Sequence, residues 1–328
     1  MNPTPVSEQP NGDVPTDAPE SCPGTSSTMA GRTSACAGCP NQSICSSGIA
    51  RKPDPDLITI QQRLSSIKHK ILILSGKGGV GKTTVSVMIA RALAAQNLKV
   101  SLLDVDICGP SIPRALGIEN EQVHQSSSGW SPVYIDENFS TMSVGFLLES
   151  LEQAVIWKGP RKDQMIKRFL LDVDWDDDLD YLIIDTPPGT SDEHLSVVNY
   201  LKHTNLDGCI LVTTPQEIAL QDVRKEISFC KQTNLNVLGI IENMAKFICS
   251  KCHKESVIFK PATGGAKKLC EENQFELLES IPLDPNIARC CDDGLDFFQE
   301  HENSQTAITY KKLVNRIRQI CEIKNTSI

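Results

Sequence analysis

A glycine-rich loop directly after a short apolar run most constrains the fold of this chain. The apolar run "ILIL" spans residues 71–74, and the loop "GKGGVGKTT" spans residues 76–84. The loop matches the pattern G-x-x-x-x-G-K-[ST], in which glycines let successive backbone N–H groups point inward at phosphate oxygens. A helix that begins at such a loop aims its N-terminus at the same anion. The sequence therefore predicts a strand, a phosphate-binding loop and a helix, in this order.

The residues of this loop have expected roles in binding ATP and Mg²⁺. The ammonium of Lys82 would reach the β- and γ-phosphates, and the hydroxyl of Thr83 would ligate Mg²⁺. Lys77 is unusual, because Lys82 already serves the bound nucleotide. Unless its side chain is merely solvated, we expect it to reach a nucleotide held by a partner subunit across a two-fold axis. The remaining loop residues of the predicted nucleotide site are Gly76, Gly78, Gly79, Val80, Gly81 and Thr84.

Short apolar runs alternate with helical stretches through the following part of the chain. Beyond residues 71–74, strands are predicted at 99–106, 181–189, 208–215 and 236–244, and a helix is predicted at 85–96. Continuous apolar strands joined by helices form a parallel sheet that is covered on both faces. We therefore predict an α/β fold with a doubly wound, mostly parallel sheet of the P-loop NTPase type. The chemistry of such sheets lies at the carboxyl ends of the strands.

Aspartates stand at the carboxyl ends of two predicted strands. Asp185 ends the run "YLIID" and would hold Mg²⁺ through water, although a helix cap or a turn is the plainer explanation of an aspartate there. Asp104 and Asp106 lie in "DVDICGPS", at the end of another strand. Either carboxylate could orient the attacking water, and we favour Asp106. The pattern predicts hydrolysis of ATP at this edge of the sheet.

The N-terminal segment differs in composition from the rest of the chain. Residues 1–52 are rich in Pro, Ser, Gly, Thr and Cys and hold almost no large aliphatic residues. Such a segment cannot bury enough apolar surface to fold alone. We therefore predict a flexible, Cys-rich extension at residues 1–52 and one ATPase domain at residues 53–328.

Net charge and hydropathy argue against several classes of protein. The net charge of −9 argues against a sequence-independent nucleic-acid binder, which needs clustered Lys and Arg. No apolar run approaches the roughly 20 residues that span a bilayer, and the N-terminus lacks the basic and apolar regions of a secretory signal. We therefore expect a reducing compartment, where clustered cysteines bind metal or do redox work instead of forming disulfides.

Four of the thirteen cysteines fall in the N-terminal extension, with the spacing C-x13-C-x2-C-x5-C. Four thiolates make a complete ligand set for zinc or for a [4Fe–4S] cluster, and the spacing does not decide between the two. Four thiols without any ligand are the plainer alternative. Metal binding would supply the order that the composition lacks. The four cysteines are Cys22, Cys36, Cys39 and Cys45.

A second cysteine pair, Cys249 and Cys252, stands in "FICSKCHKE". Two thiolates are half of a ligand set, so three completions are open. Two copies of the chain could share one cluster across a dimer axis. Cys270, Cys290 or Cys291 could complete a zinc site within the chain. The pair could also act as a redox dithiol.

Four segments together resemble one protein family: "KGGVGKTT", "DVDICGPS", "DYLIIDTPPGTSDEH" and "IENMAKFICSKC". In these segments the chain is similar to the Mrp/Nbp-type P-loop scaffold ATPases of iron–sulfur cluster assembly. That family belongs with the deviant-Walker-A ATPases, which include MinD, ParA and the nitrogenase iron protein. The resemblance runs from about residue 53 to the C-terminus and includes "VIWKGPRK" at 155–162, a segment without an evident role. The four N-terminal cysteines narrow it to the eukaryotic cytosolic large-subunit type.

The resemblance implies roles for residues around the nucleotide. Lys77 matches the signature lysine that contacts nucleotide across the dimer. Asp106 matches the aspartate of the switch region, and Asp185 matches the Mg²⁺-associated one. Asn243 matches a residue placed near the adenine. The implied activity is that of an ATP-dependent scaffold, which assembles [4Fe–4S] clusters and transfers them to cytosolic and nuclear apoproteins.

The resemblance also implies two iron–sulfur sites. The four N-terminal cysteines match the ligands of a stable [4Fe–4S] cluster. Cys249 and Cys252 match a pair that shares a labile, transferable [4Fe–4S] cluster between subunits. Ser250 departs from the family pattern, which usually has proline after the first cysteine of this pair, and we expect altered loop stiffness without loss of ligation.

The implied partners are a second copy of the chain, a smaller paralogous scaffold ATPase, or both. Recipient apoproteins and late-acting assembly factors would bind as well, in the cytoplasm and also in the nucleus. No nucleic acid and no stable membrane insertion are expected.

Three other functions are compatible with parts of the sequence. A partitioning or membrane-positioning ATPase of the MinD/ParA type would use "YKKLVNRIRQICEIK" at 310–324 as a basic amphipathic anchor, although such a helix more often packs on the sheet. An ATP-dependent reductase like the nitrogenase iron protein would use the shared cluster to pass electrons. A zinc-stapled nucleotide-binding module would need no catalysis.

Overall fold

A computed structural model describes residues 19, 22, 29–46, 55–148, 157–249, 252 and 254–325 of the 328-residue chain. The chain divides into two compact units, Met1–Leu57 and Ile58–Ile328. The predicted boundary between residues 52 and 53 lies outside the described residues.

Helices and strands alternate through most of the described chain. The described α-helices are α1 (Gln42–Ser46), α2 (Pro55–Arg63), α3 (Lys82–Ala94), α4 (Ile112–Leu116), α5 (Gly159–Asp172), α6 (Asp192–Leu201), α7 (Glu217–Thr233), α8 (Gly265–Asn273), α9 (Pro285–Asp293), α10 (Phe297–Glu300) and α11 (Gln305–Asn325). The described strands are β1 (His69–Leu74), β2 (Val100–Asp104), β3 (His124–Gln125), β4 (Trp130–Ser131), β5 (Val133–Asp136), β6 (Phe139–Ser143), β7 (Tyr181–Asp185), β8 (Gly208–Thr213), β9 (Val237–Glu242), β10 (Phe247–Ile248), β11 (Glu255–Ser256) and β12 (Leu277–Ser280).

One large sheet organises the second unit. In the described residues it has eight strands in the order β12-β9-β8-β1-β7-β2-β6-β5. Neighbouring strands are parallel except β5, which runs antiparallel to β6 at the edge. The prediction of a doubly wound, mostly parallel sheet is therefore confirmed. The predicted strands are β1, β2, β7, β8 and β9 at the centre, whereas the sequence analysis missed β5, β6 and β12.

The central strands are apolar because both faces of the sheet are covered. Every residue of β1, β2, β7 and β8 is buried. One face packs against buried side chains of α3, α9 and α11, and the other packs against those of α5, α6, α7 and α8. Because parallel strands end at one edge, this sandwich gathers the loops after β1, β2, β7 and β9 at its carboxyl edge.

The C-terminal helix α11 packs its apolar face into the protein. Leu313, Val314, Ile317 and Cys321 are at most 1% exposed and belong to the core that contains α3. Burial of each of the three aliphatic side chains stabilises the fold by about 1.5–3 kcal/mol relative to exposure. To act as a membrane anchor, α11 would have to lose these contacts with the core. In the described ranges, no helix combines the length and apolarity needed to cross a membrane.

Candidate nucleotide site

The phosphate-binding loop lies between β1 and α3, as the sequence predicts for this motif. Glycine is required at two of its positions for different reasons. A Cβ at Gly76 would lie 2.3 Å from the backbone carbon of Asp222 in α7, so a side chain has no room. Gly81 has a φ of 82°, and a Cβ there would also meet the amide nitrogen of Asn243 at 2.4 Å. The loop is therefore held against α7 on one side and the segment after β9 on the other.

A network of charged and hydroxyl groups lies under the loop, with Asp185 at its centre. Asp185 is fully buried, and its Oδ1 is 2.7 Å from the ammonium of Lys82. The hydroxyl of Ser86 donates to the same Oδ1 at 2.6 Å, and the hydroxyl of Thr83 donates to Oδ2 at 2.7 Å. A buried carboxylate is costly unless it is paired, and here three donors meet that requirement. Sequence analysis predicted the three motif residues but missed Ser86, one turn into α3.

The structure distinguishes the two aspartates that follow β2. Asp104 is 1% exposed; it accepts a hydrogen bond from the hydroxyl of Ser143 at 2.9 Å and another from the backbone N–H of Asp106 at 3.0 Å. Burial, with a smaller effect of Asp185, holds its pKa well above the usual range. Asp106 is half-buried, and burial raises its pKa to about 6. Of the two carboxyl groups, that of Asp106 is the more accessible and ionises more readily near neutral pH.

Asn243 lies beside the loop, immediately after β9. It is 8% exposed, and its side-chain amide donates to the carbonyl of Val80 at 2.9 Å. Its own N–H donates to the carbonyl of Thr213 at the end of β8. The side chain expected near the adenine thus contacts the phosphate-binding loop itself, and it fixes the position of that loop relative to β8 and β9.

Lys77 differs from Lys82 in its surroundings. Its side chain is half-exposed, and within the described ranges its ammonium has no ion-pair partner. The carbonyl of Lys77 accepts a hydrogen bond from the hydroxyl of Ser75 at 3.2 Å, and this bond fixes the backbone but not the side chain. An uncommitted cation at this position is compatible with the predicted contact to a second nucleotide.

Lys162 makes a charged contact near these aspartates that the sequence analysis did not predict. Its ammonium is 2.7 Å from Oε1 of Glu193, so the pair joins α5 to α6. Hydrogen bonds to Glu193 and then to Cys108 raise the pKa of Lys162. Burial is the main cause of the raised pKa of Asp106, and the charge of Glu193 adds a small effect in the same direction. The only sequence signal for Lys162 was that it ends the segment 155–162, which belongs to the family resemblance. The first two residues of that segment lie outside the described ranges.

His194 is a second residue whose environment the sequence did not reveal. Its Nδ1 accepts the backbone N–H of Ser191 at 3.2 Å, which leaves the ring proton on Nε2. Nε2 is buried and has no partner in the described part of the protein. Burial is the main cause that lowers the pKa of His194 to about 4; the nearby charge of Glu193 opposes this shift and that of Lys82 contributes to it. The imidazole is therefore a neutral donor next to the nucleotide edge.

The N-terminal cysteines lie in short turns and helices of the first unit. The backbone N–H of Cys39 donates to the carbonyl of Cys36, and that of Cys45 donates to the carbonyl of Asn41. Cys36 is buried, whereas Cys22, Cys39 and Cys45 are half-buried. The hydroxyl of Thr33 is 3.2 Å from the sulfur of Cys36 and lowers the pKa of that thiol.

These thiols do not converge as the ligands of one bare metal ion would. Ligands of a single zinc ion are separated by about 3–4 Å, since each is about 2.3 Å from the metal. In the part of the chain that the structure describes, no group of donors mutually within 4.8 Å contains three of these thiols. The thiolates of a [4Fe–4S] cluster bind different irons and stand further apart.

The second cysteine pair lies in a small hairpin after β9. Cys249 follows β10 directly, and its backbone N–H donates to the carbonyl of Lys254 just before β11. Cys249 is half-buried and Cys252 is exposed. Cys270 and Cys290 are buried in α8 and α9, and Cys291 of α9 is half-buried. None of the three forms a close donor group with the pair among the residues described. The intrachain zinc site considered above is not formed here, and Ser250 lies outside the described residues.

Comparisons with known proteins extend these observations. The family model described as ParA, NUBPL iron-transfer P-loop NTPase, matches residues 66–318. A nucleotide-binding protein from Archaeoglobus fulgidus, solved in complex with ADP and with cobalt found, is 38% identical over 73% of this chain and 91% of its own, with a TM-score of 0.63.

Two further solved structures share the fold at lower identity. The cell division ATPase MinD from Pyrococcus furiosus is 22% identical over 77% of this chain and 100% of its own, with a TM-score of 0.55. A ParA family ATPase from Chlorobium tepidum is 16% identical over 76% of this chain and 99% of its own, with a TM-score of 0.55. These two support the architecture alone. The family match covers the phosphate-binding loop, the aspartates and the second cysteine pair, and the chain therefore belongs to the NUBPL-type iron-transfer P-loop NTPases and is an ATPase of the MinD/ParA fold.

Proposed function

We propose that this ATPase is a scaffold that assembles [4Fe–4S] clusters and transfers them to apoproteins of the cytosol and the nucleus. The observation that carries the proposal is the continuity between the phosphate-binding loop and the second cysteine pair. Asn243 donates to the carbonyl of Val80 in the loop, and the same short segment leads to Cys249. A change in the loop on nucleotide binding can therefore act on a thiol that would hold the cluster.

The nucleotide half of the proposal rests on the network around Asp185. Lys82 pairs with Asp185, and the phosphates of ATP would offer the ammonium a stronger partner. Thr83 and Asp185 then remain as oxygen donors 2.7 Å apart, which suit Mg²⁺; when bound, Mg²⁺ would neutralise charge on the phosphates. Asp106 would orient the attacking water. Lys77 would contact the nucleotide of a partner subunit.

The segment between the loop and the cysteines is stiff enough to transmit a displacement. The N–H of Ala245 donates to the carbonyl of Ile281 at 2.9 Å, and the N–H of Leu283 donates to the carbonyl of Lys246 at 2.7 Å. The ammonium of Lys246 also pairs with Glu255 in β11 at 2.6 Å. These contacts tie the hairpin to the body of the domain, so ATP binding and hydrolysis can bias how tightly the pair holds a cluster.

The exposure of the pair fits a cluster shared between two subunits. Cys249 and Cys252 supply two of four thiolates, and Cys252 is open to solvent, so a second polypeptide can supply the others. The partner would be a second copy of this chain or a smaller paralogue. The four N-terminal cysteines would hold a separate, stable cluster, for which the thiol of Cys36 is already biased toward its thiolate by Thr33.

Transfer of labelled iron tests the proposal. The protein is reconstituted with labelled iron and sulfide under anaerobic conditions, mixed with an apoprotein acceptor, and iron transfer is followed with and without ATP. The Lys82→Ala variant should lose ATP binding and deliver iron poorly. The Cys249→Ser variant should lose the labile iron and keep the N-terminal iron. Cys291→Ser, which changes a half-buried cysteine of α9, serves as the matched control and should transfer iron normally.

Three outcomes would contradict the scaffold. Normal delivery by Lys82→Ala would remove the coupling between ATP and the cluster. Loss of both iron signals in Cys249→Ser would remove the independence of the two sites. Rapid redox cycling with the iron retained would instead favour a reductase. Sedimentation with ATP and reconstituted iron should show an assembly larger than the single chain.

A further inference from the structure

Three donors of different chemistry meet at the edge of the sheet opposite the nucleotide site. His69 opens β1, Asp207 directly precedes β8, and Cys321 lies in α11. All three are buried, with exposures of 8%, 3% and 0%. One donor atom from each lies within 4.8 Å of the other two. Among the residues that the structure describes, this is the one group of three or more His, Cys, Asp or Glu donors that are so close together. Since β1 has six residues, this group is about 20 Å from the phosphate-binding loop.

The carboxylate of Asp207 is fixed by contacts with neighbouring residues, as expected of a metal ligand. Its Oδ2 accepts the backbone N–H of Lys70 at 2.9 Å, which fixes the carboxylate. Its Oδ1 is 3.3 Å from Nδ1 of His69. That separation is long for an N–H···O bond and is close to the spacing of two ligands on one tetrahedral metal ion, about 3.3 Å. Tyr181 stacks on the His69 ring at 4.8 Å between centroids and restricts its orientation.

The charge of the group also fits a divalent cation. As ligands of a metal the three side chains would be a carboxylate, a thiolate and a neutral imidazole, and together they would carry two negative charges. The ammonium of Lys70 donates to the carbonyls of Leu64 at 3.1 Å and Ile67 at 2.7 Å. Burial lowers its pKa to about 8, and the charge of Asp207 partly opposes that shift. A divalent metal would neutralise the group with one ion. Mixed N, O and S donors suit Zn²⁺, with water or a carbonyl as the fourth ligand.

We propose that His69, Asp207 and Cys321 bind a single divalent metal ion of the zinc class. The ion would connect α11 to the starts of β1 and β8, three parts of the chain that are far apart in sequence. Its role is structural, because the donors are buried and distant from the nucleotide. The site is independent of the iron–sulfur cysteines, none of which contributes to it.

Cobalt binding tests the site in a protein from which the other metal ligands have been removed. The full chain is prepared with Cys22, Cys36, Cys39, Cys45, Cys249 and Cys252 all changed to serine. This six-serine protein should bind one Co²⁺ with a thiolate-to-cobalt charge-transfer band, and zinc should displace the cobalt. Adding Cys321→Ser should abolish the band. Adding Cys290→Ser, which changes a cysteine buried in α9, should leave it intact.

A second measurement covers the case in which Cys321→Ser does not fold. Zinc should raise the Tm of the six-serine protein by several degrees, because a ligand that binds the native state stabilises it. The His69→Gln change should remove this rise while circular dichroism remains native. Failure of the six-serine protein to bind cobalt or zinc would overturn the proposal. Retention of the charge-transfer band in a folded Cys321→Ser variant would overturn it equally.

Discussion

The nucleotide edge of the sheet and the cysteine segments differ in how much of their geometry exists before a ligand binds. At the nucleotide edge, Asp185 is fully buried and contacts Lys82, Thr83 and Ser86 at 2.6–2.7 Å. The second cysteine pair instead lies between two strands of two residues each, and Cys252 is exposed. One site is built into the core, whereas the other is carried on a short hairpin.

This difference reflects the two kinds of chemistry. Phosphate transfer needs charges fixed in advance, because reorganising them during the reaction would add to the barrier. A cluster that is assembled and passed on needs ligands that can be reached and released. Metal binding can itself supply the order that the thiol segments lack. The contrast therefore predicts that substitutions at the nucleotide edge strongly reduce ATP hydrolysis. Substitutions of residues that support the thiols should reduce iron retention by smaller, graded amounts.

The Asp106→Asn change should have the largest effect on catalysis. If Asp106 orients and activates water, kcat/KM for ATP should fall about 100-fold or more. Because burial raises the pKa of Asp106 to about 6, wild-type kcat/KM should fall as the pH is lowered through about 6, where the base becomes protonated. The variant should lose this pH dependence. Steady-state ATPase assays from pH 5 to 8 measure both effects.

Two controls keep this result interpretable. Asp136→Asn changes an exposed aspartate at the end of β5 and should leave both rate and pH profile unchanged. Asp104→Asn replaces one of the two buried carboxyl oxygens, each of which accepts a hydrogen bond, by an NH₂ group that cannot accept one, so its main effect should be on stability. If Asp104→Asn alone changed the pH profile in a folded protein, the assignment of the two aspartates would be reversed.

The sequence predicted the central fold because its signals are local. Continuous apolar runs gave β1, β2, β7 and β8, which are buried along their whole length. The glycine and lysine spacing gave the phosphate-binding loop. These features depend on residues adjacent in the chain, so periodicity and motif spacing could identify them.

The missed elements depend on contacts between distant parts of the chain. β5 alternates between buried and exposed residues over four positions at the sheet edge, and this is too short for a firm pattern. The pairing of Lys162 with Glu193 and the meeting of His69 with Cys321 require the folded topology to bring separate segments together. Spacing in the sequence carries no information about such contacts.

Glu226 tests whether the core behind the phosphate-binding loop contains a costly charge, in contrast to the satisfied charges of the nucleotide edge. Glu226 is fully buried in α7, the helix that packs against Gly76, and neither carboxyl oxygen has a partner in the residues described. Burial, followed by the charge of Asp222, raises its pKa from 4.5 to about 7. Between these values the folded protein holds a proton that the unfolded chain releases, so stability should fall as pH rises from 4.5 to 7.

The Glu226→Gln change should therefore stabilise the protein at alkaline pH by up to about 3 kcal/mol. Below pH 4.5 the carboxyl of Glu226 is protonated in both the folded and the unfolded state, so the variant and the wild type should have nearly the same free energy of unfolding. Urea unfolding at pH 5 and pH 8 measures the difference. Glu271→Gln, at an exposed position of α8, should show no such pH-dependent gain. Equal stabilities at pH 8 would mean that the carboxyl finds a partner in solution.

Thr33 tests the smaller, graded effect expected at the thiols. Its hydroxyl is 3.2 Å from the sulfur of Cys36 and lowers the pKa of that thiol. The Thr33→Val change removes the hydroxyl at nearly constant volume, so the thiol should react more slowly with iodoacetamide at neutral pH. Iron retention against a chelator should weaken by about tenfold or less, since the sulfur itself remains a ligand. Thr33→Ser retains the hydroxyl and should behave like the wild type. A Thr33→Val protein that lost all N-terminal iron would show that this site is as preorganised as the nucleotide edge, because removing one supporting hydrogen bond would then suffice to destroy it.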